Sequence, residues 1–314
     1  MRGHAFLSRV LQGTLLLVFF YVLASASAAQ DTSWQTELAA WRIQHAQELQ
    51  KPDGWLALAG LEWLDVGDNS FGSAADNKIH LPAGGPDHMG ILRLTGTTVT
   101  LAPPPGGFPQ GFLTDGKPAQ AGELHTDPDH DKNNPRMTIG GLNVYVVHRG
   151  ERFALRIKDA KSPTLTGFRG LKWYQPNAAY RVTAHWIPYL PPKSATLTTL
   201  IGTSYSQPVP GAAEFTLGGR KYRLEPVQED PAVAKLFFIL RDTTSSTTTY
   251  GACRFLYTGF PTNGLDQSGD LVLDFNRLEN PPCAYTAFAT CPLPPQQNRL
   301  KIPLPVGELR YHHR

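Results

Sequence analysis

Two groups of polar residues in this 314-residue chain have types and spacings that could do chemistry. The first is Arg149, Arg152, Arg156 and Lys158, followed by Asp159, on or beside one short hairpin. Successive strand residues point to opposite faces, so Arg152, Arg156 and Lys158 share one face while Phe153, Leu155 and Ile157 share the other. Cations gathered on a sheet face are either solvated and paired or an anion site, because guanidinium and ammonium donors match phosphate and carboxylate. The second group is Asp242, Tyr250, Arg254, Asp274, Asn276, Asn280 and Asn298. Tyr250 and Arg254 share a strand face, as do Asp274 and Asn276. Their segments are otherwise full of Phe and Leu, where an unpartnered charge is expensive. The group reads either as an Arg254–Asp pair with Asn side chains holding the tail, or as a pocket. In the pocket reading Arg254 binds an anionic group and Asp242 or Asp274 works as acid or base. Trp173, Tyr174 and Tyr285 complete the ligand-binding candidates.

Other motifs carry less. His125-Thr126-Asp127-Pro128-Asp129-His130-Asp131 is rich in metal-type ligands, and its three Asp match the first positions of a calcium loop. Lys132 stands where that loop needs Gly, however, and Thr138 where it needs a bidentate Glu, so the stretch reads as a solvated loop. No metal and no cofactor is expected. The nucleophile elbow, the zinc-protease helix, the phosphate loop and the dinucleotide fingerprint are all missing from the sequence, which lowers the case for a common hydrolase or nucleotide enzyme.

These residues need elements to position them. Hydrophobic residues make up 41% of the chain and aromatics 10%, enough for a core and too much for a disordered chain. The 29 glycines and 27 prolines follow no three-residue period, which excludes collagen, and the prolines are spread in a way that disfavours a helical bundle. Arg2 and Arg9, an apolar run from Val10 to Leu23 and small residues from Ala24 to Ala29 have the order of a secretory signal. Cleavage between Ala26 and Gln30 would place the protein in the periplasm or outside the cell. The rest of the chain is then nearly neutral, so nucleic acid is not an expected partner, and no membrane span remains after cleavage. In an oxidising compartment Cys283 and Cys291, which flank a Pro-rich turn, are a disulfide pair, with three free buried thiols as the alternative.

The mature chain opens with a helix over residues 30–54, where Trp34, Leu38, Trp41, His45 and Leu49 recur at steps of three and four before Pro52-Asp53-Gly54 stops it. Short strands and turns follow. Residues 55–161 form one β unit, which includes the hairpin Leu142–His148 with Arg152–Lys158. Residues 162–179 form a crossover and residues 180–314 a second β domain with a Pro-rich end. In that domain Tyr180–Ile187 is a strand, Phe215–Leu217 and Lys221–Leu224 a hairpin across Gly218-Gly219, and Leu236–Leu240 and Tyr250–Tyr257 another pair. The fold class is mainly β, a sandwich followed by an antiparallel sandwich or barrel-like half.

Two resemblances stand on quoted residues. Gly67-Asp68-Asn69-Ser70-Phe71-Gly72-Ser73, Asp76-Asn77-Lys78-Ile79-His80-Leu81-Pro82, Thr98-Val99-Thr100-Leu101 and Asp115-Gly116-Lys117-Pro118 resemble a degenerate forkhead-associated domain over residues 60–150. That resemblance implies a β-sandwich. It does not carry phosphopeptide binding, because Ser73 stands where the family has its phosphate-binding Arg. The mature chain as a whole resembles the bacterial family called domain of unknown function 1684. The carrying residues are Gly54-Trp55-Leu56, Gly60-Leu61-Glu62-Trp63-Leu64, Leu155-Arg156-Ile157-Lys158-Asp159, Phe168-Arg169-Gly170-Leu171-Lys172-Trp173-Tyr174, Thr249-Tyr250-Gly251-Ala252-Cys253-Arg254, Leu273-Asp274-Phe275-Asn276-Arg277, Asn280-Pro281-Pro282-Cys283-Ala284-Tyr285 and Cys291-Pro292-Leu293-Pro294-Pro295. Cys253 stands where that family's pattern has Gly, which implies an unpaired thiol. The resemblance implies membership and no activity. The expected function is therefore an exported protein that binds a small polar or anionic molecule in a β-domain pocket. A hydrolase using an Asp of the C-terminal half and an envelope scaffold without a ligand are the alternatives.

Overall fold

The computed structural model describes residues 32–127 and 131–312. The expected signal segment, together with Asp129 and His130 of the acid-rich loop, lies outside the described residues. None of the described helices is long and apolar enough to cross a membrane.

A helix runs over residues 32–49 and buries Trp34, Leu38 and Leu49, while Trp41 and His45 are half-buried on the same side. Trp34 Nε1 donates to Asp274 Oδ2 at 2.7 Å, which pins the helix to the far half of the chain.

Two sheets follow. One has six strands in the order Leu58–Trp63, Arg152–Asp159, Leu142–Arg149, Met137–Ile139, Leu113–Thr114 and Lys117–Pro118. The other has five, in the order Ile79–His80, Gly67–Gly72, Gly90–Thr95, Thr98–Ala102 and Gly122–Leu124. One buried core joins them, with Phe71, Leu92 and Leu101 from the five-stranded sheet meeting Val144, Leu155 and Ile157 from the six-stranded one. This is a β-sandwich, as the alternating pattern predicts. Its central hairpin pairs Arg149 with Arg152, so Gly150 and Glu151 make the turn, and Gly150 takes the positive φ of 62° that the turn requires.

The second half is antiparallel, whereas the first contains one short parallel pair, Gly67–Gly72 with Ile79–His80. A four-stranded sheet runs in the order Arg220–Leu224, Ser204–Leu217, Arg181–Thr198 and Gly269–Asp274. A two-stranded sheet, Leu236–Leu240 with Arg254–Thr258, packs on it through Trp186, Phe215, Leu224, Phe238, Leu256 and Leu273. None of the sheets closes on itself, so this half is not barrel-like. The strand expected to end at Ile187 runs on to Thr198 and pairs with one beginning at Ser204. Pro188, Pro191 and Pro192 hide this continuation. The ladder shifts register between Pro188 and Lys193, where residues without an N–H do not interrupt regular pairing.

The Pro-rich tail contributes no long strand and is held by side chains. Arg254, buried like its partner Asp242, donates from Nη1 to Asp242 Oδ2 at 3.1 Å and to the Leu304 carbonyl at 3.0 Å, and from Nη2 to the Val306 carbonyl. Asp242 Oδ1 accepts from the Thr244 N–H at 2.8 Å, the Thr244 hydroxyl at 2.6 Å and the Leu304 N–H at 3.2 Å. Burial pulls the Arg254 pKa down, opposed by the Asp242 charge. Cys253, Cys283 and Cys291 are all free, so the expected Cys283–Cys291 bridge is not formed. The Cys291 sulfur is instead turned to the backbone of Cys283, whose N–H donates to it at 3.1 Å, and Tyr250 Oη closes the loop on the Cys283 carbonyl at 3.1 Å.

Removing one member of a buried ion pair leaves the other charge uncompensated, at a cost of about 3–5 kcal/mol. Asp242→Ala is therefore expected to lower urea-unfolding stability by about that amount, and an unchanged unfolding midpoint would contradict this role.

A candidate ligand cavity between the two halves

The outer face of the six-stranded sheet, opposite its core, turns toward the second half. Leu58 enters a cluster with Leu197, Val209, Phe237, Ile239 and Phe255, and Thr286 Oγ1 donates to the Leu58 carbonyl at 3.2 Å. Beside this seam lies a cavity of about 800 Å³, within the ~300–1,000 Å³ range of small-molecule sites.

The first wall comes from the hairpin. Tyr145 pairs with Arg156 across the two strands, and Lys158 follows on the same face. Arg156 is buried and donates from Nη1 to Tyr145 Oη at 3.4 Å. Its guanidinium stands 5.7 Å from the Trp55 ring centre, with Lys158 Nζ at 5.8 Å, and Arg136 lies 3.5 Å over the Tyr145 ring. Lys158 Nζ also bonds the Asp53 carbonyl. Burial pulls the Lys158 ammonium down, with Arg156 and Arg136 adding to that against the opposing charges of Tyr145 and Asp53. Burial pushes the Tyr145 phenol up, but Arg156 and Lys158 outweigh it and bring it down. Arg149 and Lys132 also line this side.

The facing side carries acids and aromatics. His45 Nδ1 stands 3.4 Å from Glu279 Oε2, and His45 Nε2 stands 3.5 Å from Glu308 Oε2. Burial opposes the charge on His45, but its contact with Glu308 and the charges of Glu279 and Glu308 raise its pKa above the ordinary value. Burial pushes Glu279 up to about 7, with Glu308 adding to this and His45 opposing it. His45 and Glu279 can therefore hold and pass a proton near neutral pH, which is the condition for acid–base chemistry. Glu308 is fully buried and accepts from the Asn280 N–H at 2.9 Å, Asn280 Nδ2 at 2.7 Å and Tyr285 Oη at 2.7 Å. Further along, Glu229 is pushed up to about 7 by burial, beside Tyr205, Phe237 and Tyr257.

The structure divides the sequence candidates. Arg149, Arg156, Lys158, Asn280 and Tyr285 line the cavity. Arg152, on the same strand face, stacks instead on Trp63 at 3.9 Å. The other candidates do not line it and make structural contacts. Asp242 and Arg254 pair internally. Asp274 accepts from Trp34 and Asn276, and Asn276 also bonds the Asn177 backbone. Tyr250 holds the Cys283 loop. Trp173 packs edge-on against Trp41 and His45, and Tyr174 accepts from Arg42 at its carbonyl and bonds Thr248 with its hydroxyl. The expected cleft joining Arg254 to Asp274 is therefore absent, because both side chains are spent on internal partners. Sequence reasoning missed His45, Tyr145, Glu229, Tyr257, Glu279 and Glu308. Only Tyr145 left a signal, its place opposite Arg156 in the hairpin. Among the described residues, no group of three His, Cys, Asp or Glu is placed to hold a metal ion.

Residues 166–309 match the model of a family described as protein of unknown function, DUF1684. The matched stretch lies in the second half of the chain. The DUF1684 stretch supplies Glu229, Tyr257, Glu279 and Glu308, whereas the cationic wall and the helix lie before it, as do the quoted likenesses at Gly54–Leu64 and Leu155–Asp159. The solution NMR structure of the uncharacterized protein from gene locus rrnAC0354 of Haloarcula marismortui is 28% identical over 46% of this chain and 78% of that one, with a TM-score of 0.40. No curated protein matches the chain.

Glu229 titrates near an ordinary ~4.3 when unfolded and at about 7 when folded. Between those values the folded state binds more protons, so this residue makes stability fall as pH rises. Glu229→Gln is expected to melt above the native protein at pH 8 and to lose that advantage at pH 4.5. Equal differences at both pH values in a thermal melt would contradict the assignment.

Proposed function

We propose that this protein binds a small anionic molecule in the cavity between its two halves, with the anionic group held by Arg156 and Lys158 beside Tyr145. The observation that carries this reading is the hairpin face. The fold covers it with a second β half, yet leaves volume over its cations instead of filling that volume with apolar side chains. A buried ammonium such as Lys158, held down by burial and by its cationic neighbours, gains most from an added negative charge, and a guanidinium, an ammonium and a phenol together suit a carboxylate or phosphate. The walls come from both halves, so the ligand would join them. This reading places the anion on Arg156 and not on Arg254. The hydrolase alternative loses its two Asp candidates to structural bonds, and any acid–base chemistry would fall to His45 and Glu279.

The Arg2, Arg9, apolar-run and Ala-Ser-Ala order supports export, and on this proposal the protein meets its ligand in the periplasm or outside the cell. N-terminal sequencing of the exported protein should begin between Ala26 and Gln30, whereas an intact Met1 in soluble cytosol would end the export reading.

Titration calorimetry with inorganic phosphate and with citrate tests the binding. At least one is expected to bind, with affinity falling tenfold or more in Arg156→Met and in Lys158→Met and falling as salt is raised. Equal affinity in the native protein and both variants would refute the site.

A further inference from the structure

The acid-and-aromatic end of the same cavity points to the other half of the ligand, and this inference rests on the cavity being the binding site. Tyr205, Phe237 and Tyr257 gather there with Glu229. Phe237 and Tyr257 stack with ring centres 4.6 Å apart and planes within 8°. Tyr257 lines the cavity and keeps 40% of its surface exposed. A side chamber of about 110 Å³ opens at this end and shares Glu229, Phe237 and Tyr257 with the main cavity. Among the described residues, the Glu229 carboxylate has no ion pair and takes no hydrogen bond, and the hydroxyls of Tyr205 and Tyr257 have no hydrogen-bond partner either. Asp230, its neighbour, is already committed to Lys132 at 2.9 Å. Lys235 lines the side chamber and makes no ion pair there with the described residues.

A carboxylate set among aromatic rings in a low-dielectric recess fits one kind of group. The negative ring faces and the carboxylate both attract a cation, and the apolar rings accept its carbon substituents, which a hydrated metal ion does not offer. We infer that Glu229, Tyr205, Phe237 and Tyr257 form a subsite for an organic ammonium group, so that the ligand is a zwitterion with its anionic group at Arg156 and Lys158 and its ammonium group at Glu229 and Tyr257.

The two ends can be probed separately, because each has a simple ion that mimics it. Proton NMR titration or calorimetry on the full mature chain is run with tetramethylammonium chloride and with n-butylammonium chloride, beside the phosphate and citrate titrations. The expected result is that one ammonium probe binds and that Glu229→Gln and Tyr257→Leu each weaken it fivefold or more. Anion affinity should remain within twofold in both variants, which also shows that they are folded. Saturating anion should leave the ammonium probe bound or tighten it. Anion binding with no ammonium binding would overturn the zwitterion inference and leave the anion site standing. Ammonium binding that is displaced by the anion, or that is unchanged in both variants, would also overturn it. If neither ion binds, the cavity reading fails and takes the inference with it.

Discussion

The cavity depends on one buried carboxylate. Glu308 sits near the end of the chain, 1% exposed, and three donors from residues 280 and 285 converge on it. His45, from the N-terminal helix, stands against its other side. The Glu308 backbone is tied in turn, its N–H to the Leu278 carbonyl at 2.8 Å and its strand-like bridge to Trp173. Helix, crossover, tail and the Pro-rich loop therefore meet at one side chain. Hydrogen bonds to a charged acceptor are worth roughly 1.5–3 kcal/mol each, more than neutral ones, and such an acceptor suits a place where prolines leave little backbone bonding. With Glu308 in place, Asn280, Tyr285 and Glu279 hold the cavity floor facing the hairpin.

The two buried acid–base clusters have different tasks. Arg254 and Asp242 spend their charges on each other and on the tail backbone, which is how a buried charge pair behaves when its work is to fasten a tail. The cavity residues are arranged otherwise. Cations crowd one side, while carboxylates that burial raises to about 7 lie on the other. Such an imbalance lowers the stability of the empty protein, and a bound ligand of matching charge would relieve it.

Local features were legible in the sequence. The hairpin follows from alternation and a tight turn read at Arg149-Gly150-Glu151, and its parity already places Arg156 and Lys158 on the face away from Phe153, Leu155 and Ile157. The helix and its Trp34 stripe follow from spacing. Arg254 with an Asp was legible as a pair, though not which Asp, because Asp242 and Asp274 are equivalent until the tail is packed. What the sequence hides is long-range. Glu229 and Glu279 are ordinary acids until Tyr257 and the first half enclose them. The strand through Pro188, Pro191 and Pro192 breaks the local rule and is held by its neighbours. The Cys283–Cys291 expectation rests on spacing and an oxidising compartment, and neither shows that one sulfur takes the other residue's N–H.

The central claim is that an anion sits on the hairpin face inside the cavity. Crystals soaked in selenate test it directly, since selenium marks the oxyanion by its anomalous scattering. The account requires an anomalous peak in the cavity within hydrogen-bonding reach of Arg156 and Lys158, absent in crystals of Arg156→Met. Peaks found only on the outer surface, with the cavity free of selenium, would contradict it.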